Sequence, residues 1–378
     1  MLKGIYLTLM VGPVVPVIAP KAVMDALTNI QVTNAADRSG FQITFSVAKN
    51  STLLNTLLAA GYFDPITTRV IIIATVNGFP NVLMDGLVTN QELSPSSEPG
   101  KSNLTITGED LSLAMDLFQL ITPYPAMPEY VQILALFAPF AFLGIVPLII
   151  PPIPSVVKMP SKGWDTQVRK TTREYLKFIA NRCGYVFFLV PGPLPGQSIG
   201  YLGPDINLPI PQPALSINMD AHTNVESLSF SLNGMAKKIR LYTIYDEGTN
   251  RIPIPIPVPN INVLKPPLGL RPTPMLRTEF ATDVTPLTTT EAARKIIGDL
   301  IGSANNPPAT TANGSLDVLR YNGILRARML VGVRGAGLVY DGMYYVDSVT
   351  HNIKPGEYKQ NFTLSRDGLI SNTPAVLV

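Results

Sequence analysis

The stretch GMYYVDSVTHNIKPGEYKQNFTLS, residues 342–365, decides the fold. Phe362 and Leu364 alternate with Asn361, Thr363 and Ser365, which is the period-two pattern of a half-buried strand. Lys354-Pro355-Gly356 breaks the run where a turn has to form. The stretch reads as a β-hairpin that closes a sheet. Tyr344, Val346, Phe362 and Leu364 are its candidate core or assembly residues.

Working outward, the same alternation recurs. Ile5 to Val11 reads as a first strand, and residues 25–32 lead into another. Phe41, Ile43, Phe45 and Val47 alternate with polar residues, and Phe41 and Phe45 join the core candidates. Asn77-Gly78 lies between apolar runs at 70–73 and 82–84, a strong hairpin signal. A strand, a Ser/Pro/Gly loop and a further strand follow over Asp85 to Leu111. Successive strands with short turns indicate a small antiparallel barrel. Leu111 to Leu120 and Tyr130 to Phe137 are helix-like. Thr166 to Cys183 is the best helix, with Val168, Thr172, Leu176, Ile179 and Cys183 at three- and four-residue spacing and Gly184 as its stop. Leu176 and Ile179 are core candidates, and Trp164, just before this helix, is an anchor that packs the unit. Strands at 185–190 and 199–202 complete a small α/β insertion. Ala214 to Met219, Val225 to Leu232 and Ile239 to Ile244 read as strands. Ile252 to Pro274 reads as a long connection, Glu291 to Ile301 as a short amphipathic helix and Asn305 to Gly314 as a polar loop. Ile324 to Gly332, Tyr344 to Val349 and Tyr358 to Ser365 read as strands of a second barrel.

Composition narrows the function. With 378 residues there is room for roughly two to four domains. Net charge is +3, from 29 basic and 26 acidic residues, without the basic stripe of a nucleic-acid binder. Charged residues are 15% of the chain while 46% are hydrophobic. Ordinary domains carry about 25% charge, so much of this surface is expected to be covered by oligomer contacts or a membrane. Proline, at 36 residues, is about twice its ordinary usage. Much of it lies in apolar runs such as IPIPIPVP at 252–259, which favour extended arms that pack on a neighbour. One cysteine, Cys183, excludes an intrachain disulfide and reads as core. With only His222 and His351 beside it, a zinc site within one chain is not expected.

Two apolar segments imitate targeting or membrane signals. Residues 1–20 begin with Lys3 and an apolar run, but Pro13 and Pro16 interrupt it and no small-residue cleavage site follows. Val131 to Val157 carries no charge and is long enough to span a bilayer. Pro139, Pro147, Pro151, Pro152 and Pro154 remove amide donors there, so extended chain buried against protein is expected after a short helix.

No catalytic constellation stands out. GVRGAG at 332–337 lacks the Lys-Ser/Thr of a phosphate loop and reads as a turn. Glu109-Asp110 and Asp246-Glu247 sit at turns or helix starts, where carboxylates cap or stay solvated. Asp220 and His222 have no nucleophile motif near them. His351 reads as a surface or interface residue. Arg169, Lys170 and Arg173 read as a solvated helix face that could meet an acidic partner.

Several blocks in order carry a resemblance. DGLVTNQEL with LTITGEDLSLAMD, TREYLKFIANRCGYVFFLVPG with IGYLGPD, LSINMDAHTNVESLSFSLNGM and YYVDSVTHNIKPGEYKQNFTLSRDGL together resemble the tail hub proteins of contractile phages and related injection systems. That family includes late-control-type phage proteins and the hub part of type VI secretion spikes. The resemblance implies a mainly β chain with an α/β insertion and two small antiparallel β-barrels of tail-tube type. Three chains would form a trimeric, pseudo-sixfold ring joining a sixfold tail tube to a threefold spike. It implies a first barrel over 1–113, a helix and proline-rich connection over 114–165, the α/β insertion over 166–212 and a second barrel region over 213–378. The implied partners are a spike protein, the tail tube protein and baseplate wedge proteins. Neither enzymatic activity, a cofactor, a small-molecule substrate nor nucleic-acid binding is implied. Assembly in the bacterial cytoplasm is implied, with the spike a separate protein. Three other readings stay open: another β-rich baseplate or tube component, distinguished by hexameric stoichiometry; a membrane-associated β protein, distinguished by extraction behaviour; and a carbohydrate-processing enzyme, which lacks a plausible acid pair.

Overall fold

The computed structural model describes residues 4–35, 39–98, 102–124, 127–151, 165–206, 208–245, 253–262, 264–265, 267–281, 296–302 and 307–372. The chain opens with β1 (Ile5–Gly12), β2 (Val17–Ile18), helix α1 (Lys21–Ala26), β3 (Leu27–Asn34) and β4 (Ser39–Val47). A helical turn at Leu53–Leu57 leads to β5 (Arg69–Val76), β6 (Phe79–Ser94) and β7 (Ser102–Asp110). The middle holds a tight helical turn at Leu111–Asp116, β8 (Gln119–Tyr124), α2 (Glu129–Phe137), a second such turn at Ala138–Leu143 and β9 (Ile145–Ile149). It continues with β10 (Asp165–Thr171), α3 (Thr172–Arg182), β11 (Tyr185–Pro191) and β12 (Ser198–Pro204). Then come β13 (Leu208–Ser216), a turn at Asp220–His222, β14 (Val225–Leu232), β15 (Lys238–Tyr245), β16 (Pro253–Pro259), β17 (Gly269–Arg271) and β18 (Arg277–Phe280). Residues 296–301 form a helix, α4. Last are β19 (Thr310–Asp317), α5 (Val318–Tyr321), β20 (Met329–Arg334), β21 (Gly342–Lys354), β22 (Glu357–Arg366) and β23 (Leu369–Ser371).

One 13-stranded sheet dominates, in the order β14-β19-β22-β21-β3-β4-β7-β6-β5-β1-β2, with β20 between β21 and β13. It contains a tandem repeat. In the first copy β3, β4, β5, β6 and β7 lie in the order β3-β4-β7-β6-β5; in the second β14, β19, β20, β21 and β22 lie in the order β14-β19-β22-β21-β20. A short helix follows the second strand of each copy, at Leu53–Leu57 and at Val318–Tyr321. The fourth strand of each copy is long and forks. β6 pairs with β5 over Phe79–Leu87 and with β7 over Gly86–Ser94. β21 pairs with β20 over Gly342–Tyr345, and its far half pairs with β3 of the other copy.

Local chemistry sets the hairpins. Asn77 and Gly78 take φ of 52° and 85°, the two left-handed residues of a type I′ turn between β5 and β6. In the β21–β22 hairpin Lys354 faces Glu357, leaving Pro355-Gly356 as the turn. Proline presets the first turn position and Gly356, at φ 82°, supplies the left-handed second. Where the second and fifth strands of each copy meet, a phenylalanine faces a glycine. Phe41 on β4 opposes Gly108 on β7, while Phe362 on β22 opposes Gly314 on β19. A Cβ at Gly108 would lie 2.2 Å from the Phe41 ring, and one at Gly314 would lie 2.6 Å from that of Phe362. The missing side chain is the space the ring fills.

The main core is a single cluster that draws on both copies, with Ile30, Phe41, Phe45, Ile72 and Ile106 from one and Ala312, Val331, Tyr344, Val346, Phe362 and Leu364 from the other. A second cluster, including Ile133, Phe137, Leu176, Ile179, Cys183, Phe187 and Leu202, fills the segment between the two copies and reaches Leu87 of β6.

Several expectations need correction. The two copies do not form separate closed barrels among the described residues, because the free side of β3 is taken by β21. The helix expected from Thr166 begins at Thr172. Residues before it pair with β8, and a capping box between Thr171 and Glu174 starts the helix. Leu111 to Leu120 is one short helical turn followed by strand β8. The expected arm is strand β16 from Pro253 to Pro259, residues 310–314 of the expected loop begin strand β19, residues 252, 305 and 306 lie outside the described residues, and 324–328 precedes β20 instead of belonging to it. Of the helix expected over 291–301, residues 291–295 lie outside the described residues.

The Phe41–Gly108 contact predicts a specific cost. Gly108→Ala should destabilise the chain by about 1–3 kcal/mol in urea unfolding, because the new methyl meets both the ring and the Leu87 carbonyl. Gly234→Ala, with open space around it, should stay within about 0.5 kcal/mol of wild type. Equal effects would remove the packing account.

Candidate assembly surface

On β4, β7 and β14 the face turned away from the core is made of hydroxyls and amides. β4 presents Gln42, Thr44 and Ser46, β7 presents Asn103, Thr105 and Thr107, and β14 presents Ser227, Ser229 and Ser231, between inward apolar positions. These groups bond across strands. Ser227 Oγ lies 2.8 Å from Ser315 Oγ, and Thr363 Oγ1 donates to Asn313 Oδ1 at 3.0 Å. Thr33 and Thr350 face one another where the two copies join, their hydroxyl oxygens 3.3 Å apart. A groove of about 450 Å³ runs over β14, β19, β22 and β21, lined by Ser229, Asn313, Ser348, Thr350 and Asn361 among others. Charge sits at its margin, where Lys359 pairs with Glu226 and Glu357.

Two stretches along this face have an edge with no described partner strand. β14 ends the sheet, with no described strand beyond it. Asn233 N–H donates to the Ala309 carbonyl at 2.8 Å, so odd positions of β14 face β19. The amides of Leu228, Phe230 and Leu232 therefore point outward. In the other stretch, β5 leaves β6 at Leu87, and Asn90–Ser94 is exposed but for β7 on one side.

Buried polar groups hold this surface in shape. Gln360 occupies an inward position of β22, and its amide grips both Leu325 N–H and Leu325 C=O at 2.9 Å. Half-buried Gln212 on β13 does the same to Arg326 nearer the surface, at 2.7 and 2.9 Å. His351 is buried beside Gln360. Its Nδ1 lies 2.7 Å from the Tyr358 hydroxyl and its Nε2 3.4 Å from the Asn34 amide. Desolvation pushes its pKa down to about 3. Arg366, also buried, stacks 4.4 Å from the Tyr344 ring centre and donates to the carbonyls of Val339, Asp341 and Gly368.

The inserted unit is fastened to the sheet by charge. Arg69 on β5 binds Asp85 on β6 through two bonds of 2.7 Å, and both side chains are buried. Arg69 also donates to the carbonyls of Val14 and Gly196, and Ser198 donates to Asp85. Burial pushes the Asp85 carboxyl above its ordinary range, while Arg69 pulls it back. Arg173 at the start of α3 binds Asp116 at 2.9 Å and Glu109 at 3.5 Å.

Placement of the residues singled out from sequence is mixed. Phe41, Phe45, Tyr344, Val346, Phe362 and Leu364 lie in the main core, and Leu176 and Ile179 in the second; all eight are buried within one chain. Trp164 and Asp246-Glu247 lie outside the described residues. His351 is not at the surface, because an inward position on β21 encloses it. Arg173 is not solvated, since the strand before α3 turns it onto Asp116, and Lys170 lies 3.8 Å over the Phe178 ring. Asp110 caps the Leu111–Asp116 turn, as expected of a carboxylate there. GVRGAG ends β20 and turns through Gly335 and Gly337 at φ of 85° and 86°. Asp220 and His222 share an exposed turn. Arg69, Asp85, Gln212 and Gln360 were not singled out. The signal for Gln360 was present: it takes an inward position between Tyr358 and Phe362.

No family model matches the sequence. No curated protein matches it either. Solved structures do match along nearly the whole chain. A 43 kDa tail protein of prophage MuSo2 from Shewanella oneidensis superposes with a TM-score of 0.61 at 14% identity, over 96% of this chain and 98% of the other. A tail protein from Neisseria meningitidis MC58 gives 0.59 at 12% identity, over 97% and 98%. A component of the type VI secretion system of E. coli, itself structurally similar to the T4 bacteriophage tail proteins gp27 and gp5, gives 0.50 at 10% identity, over 93% and 77%. The chain thus has the fold seen in phage tail proteins and in a type VI secretion component. Among the described residues no helix is long and apolar enough to cross a membrane.

Two measurements test the buried polar groups. Asp85→Ala should cost about 3–5 kcal/mol in chemical unfolding by stranding a buried guanidinium, and Arg69→Met/Asp85→Leu should cost clearly less. For His351 the folded pKa lies below the unfolded value near 6.5, so the unfolded chain binds the proton first. Its stabilising effect is complete above about pH 6.5 and falls as pH drops toward about 3, by up to about 1.4 kcal/mol per pH unit. His351→Gln should flatten the unfolding midpoint between pH 7 and 4.5; parallel curves for the two proteins would refute this.

Proposed function

We propose that this chain is a structural hub of a contractile tail or injection system, a homotrimeric ring that joins the sixfold tail tube to the threefold spike at the baseplate centre. One observation carries the reading. Within the chain, the far half of β21 pairs with β3, the fourth strand of one copy with the first strand of the other. The same two strand positions are left open at the far half of β6 and the whole of β14. Joining β6 of one chain to β14 of the next repeats the internal junction between chains. Two copies per chain and three chains then give six equivalent positions around one axis, which reconciles threefold and sixfold symmetry. The hydroxyl-rich face would become a continuous ring wall.

This reading gives the two copies the role of tube-type rings, over 1–113 and within 213–378. The insertion over 166–212 and the proline-rich connection over 114–165 then fall outside the ring wall. The spike, the tube protein and the wedge proteins are its partners, and the role is structural, not enzymatic. Assembly takes place in the bacterial cytoplasm. The fold shared with phage tail proteins and a type VI component supports the setting.

The test is native mass, measured by light scattering without detergent, for the protein alone and with the spike encoded beside it. A trimer, or a three-to-three complex with the spike, is expected. A hexamer would favour a tube component. Leu232→Pro removes an outward amide from β14 without touching its bonds to β19, so it should abolish the trimer while the thermal midpoint stays within a few degrees. A trimer that survives this change would show that β14 is not the joint.

A further inference from the structure

We propose that the prolines of β9 and β16 bar strand addition at those edges, leaving β14 and the far half of β6 as edges open to pairing between copies of this chain. The inference deepens the ring reading and rests on it for the identity of the permitted joint.

The geometry is specific in each case. β16 is the outer strand of the sheet β16-β15-β18. Its register sets Ile254, Ile256 and Val258 opposite Ile244, Tyr242 and Arg240, and Pro255, Pro257 and Pro259 opposite Thr243, Leu241 and Ile239. Proline has no N–H, so the bonded pairs are those of Ile254, Ile256 and Val258. The ring nitrogens of the prolines then all face the free edge, and their side chains are exposed. That edge offers carbonyls and no amide donors, so an added strand would leave its own acceptors unpaired.

β9 repeats the device in the sheet β11-β12-β9. Ile150 N–H donates to the Leu202 carbonyl and Ser198 N–H to the Gly144 carbonyl, so even positions face β12. Pro147 therefore turns its nitrogen outward. β13 lies outside β20 and carries Pro209, Pro211 and Pro213. Where its prolines stop, Asn224 closes the edge, donating to the Ala214 carbonyl at 2.8 Å and accepting from Ser216 N–H at 2.7 Å. Against these, β14 carries no proline and a single charge, Glu226. A long edge without protection is what an association strand needs, and what every other face of a stable chain has to avoid.

The experiment restores donors at the blocked edges of the full chain. Pro255→Thr/Pro257→Thr opens β16, and Pro147→Val opens β9. Each variant is compared with wild type by light scattering across a concentration series, with thermal unfolding followed alongside. The expected result is added species of at least about twice the wild-type mass, growing with concentration, at an unchanged thermal midpoint. Two results would overturn the proposal. Variants that fold and keep the wild-type mass distribution would show that the prolines block nothing. Variants that fail to fold would show that the prolines serve folding instead. The ring reading fails separately, through Leu232→Pro, so the two are distinguishable.

Discussion

The pairing of β21 with β3 is the constraint on which the rest of the structure depends. It is a short antiparallel ladder, from Val349 opposite Asn34 to Ile353 opposite Ile30. It joins strands from opposite ends of the chain and turns two repeated sheets into one. Without it each copy would expose the free side of a first or a fourth strand, and the shared core would divide. Thr33 and Thr350 meet one step inside its Val349–Asn34 end. Because side chains alternate with period two, a one-residue slip here would turn a whole face of apolar groups to water. The buried neighbours on both strands therefore fix the register.

Polar side chains serve the same end by another route. Gln360 and Gln212 each hold one residue of the segment 325–326 by both its backbone groups, acting as side-chain substitutes for a neighbouring strand. Arg69 and Asp85 reach from the sheet to Gly196 and Ser198 of the insertion. These contacts are costly to leave half-made, since an unpaired buried charge or amide loses its hydration without return. They specify one arrangement of insertion and sheet over others of similar apolar burial.

Much of this was legible in the sequence where the signal is local. Asn77-Gly78 and Pro355-Gly356 announced their hairpins, and the alternation of Phe41, Ile43, Phe45 and Val47 announced a half-buried strand. β19 was missed because its inward positions, Thr310, Ala312, Gly314 and Leu316, are mostly too small to show an apolar alternation; Gly314 is small because Phe362 fills its place. β16 was missed because proline argues against a strand in general, yet allows one when every proline faces a free edge. The start of α3 was written in Thr171 and Glu174, a capping box that helical periodicity overran. The junction of β3 with β21 had no local signal at all. It depends on which free edges remain after the short-range pairs have formed.

The open edge of β14 also has a consequence for timing. A strand that presents outward amides over its length is competent to pair from the moment it folds. Encounter between such chains is second order, so the solitary state shortens as concentration rises. In the proposed ring, synthesis in step with the other components would keep chains moving into complexes, whereas a surplus would meet only itself. In the proposed ring the relative abundance of chain and partner would therefore be part of folding quality control, set by stoichiometry in the cell as much as by the stability of the chain.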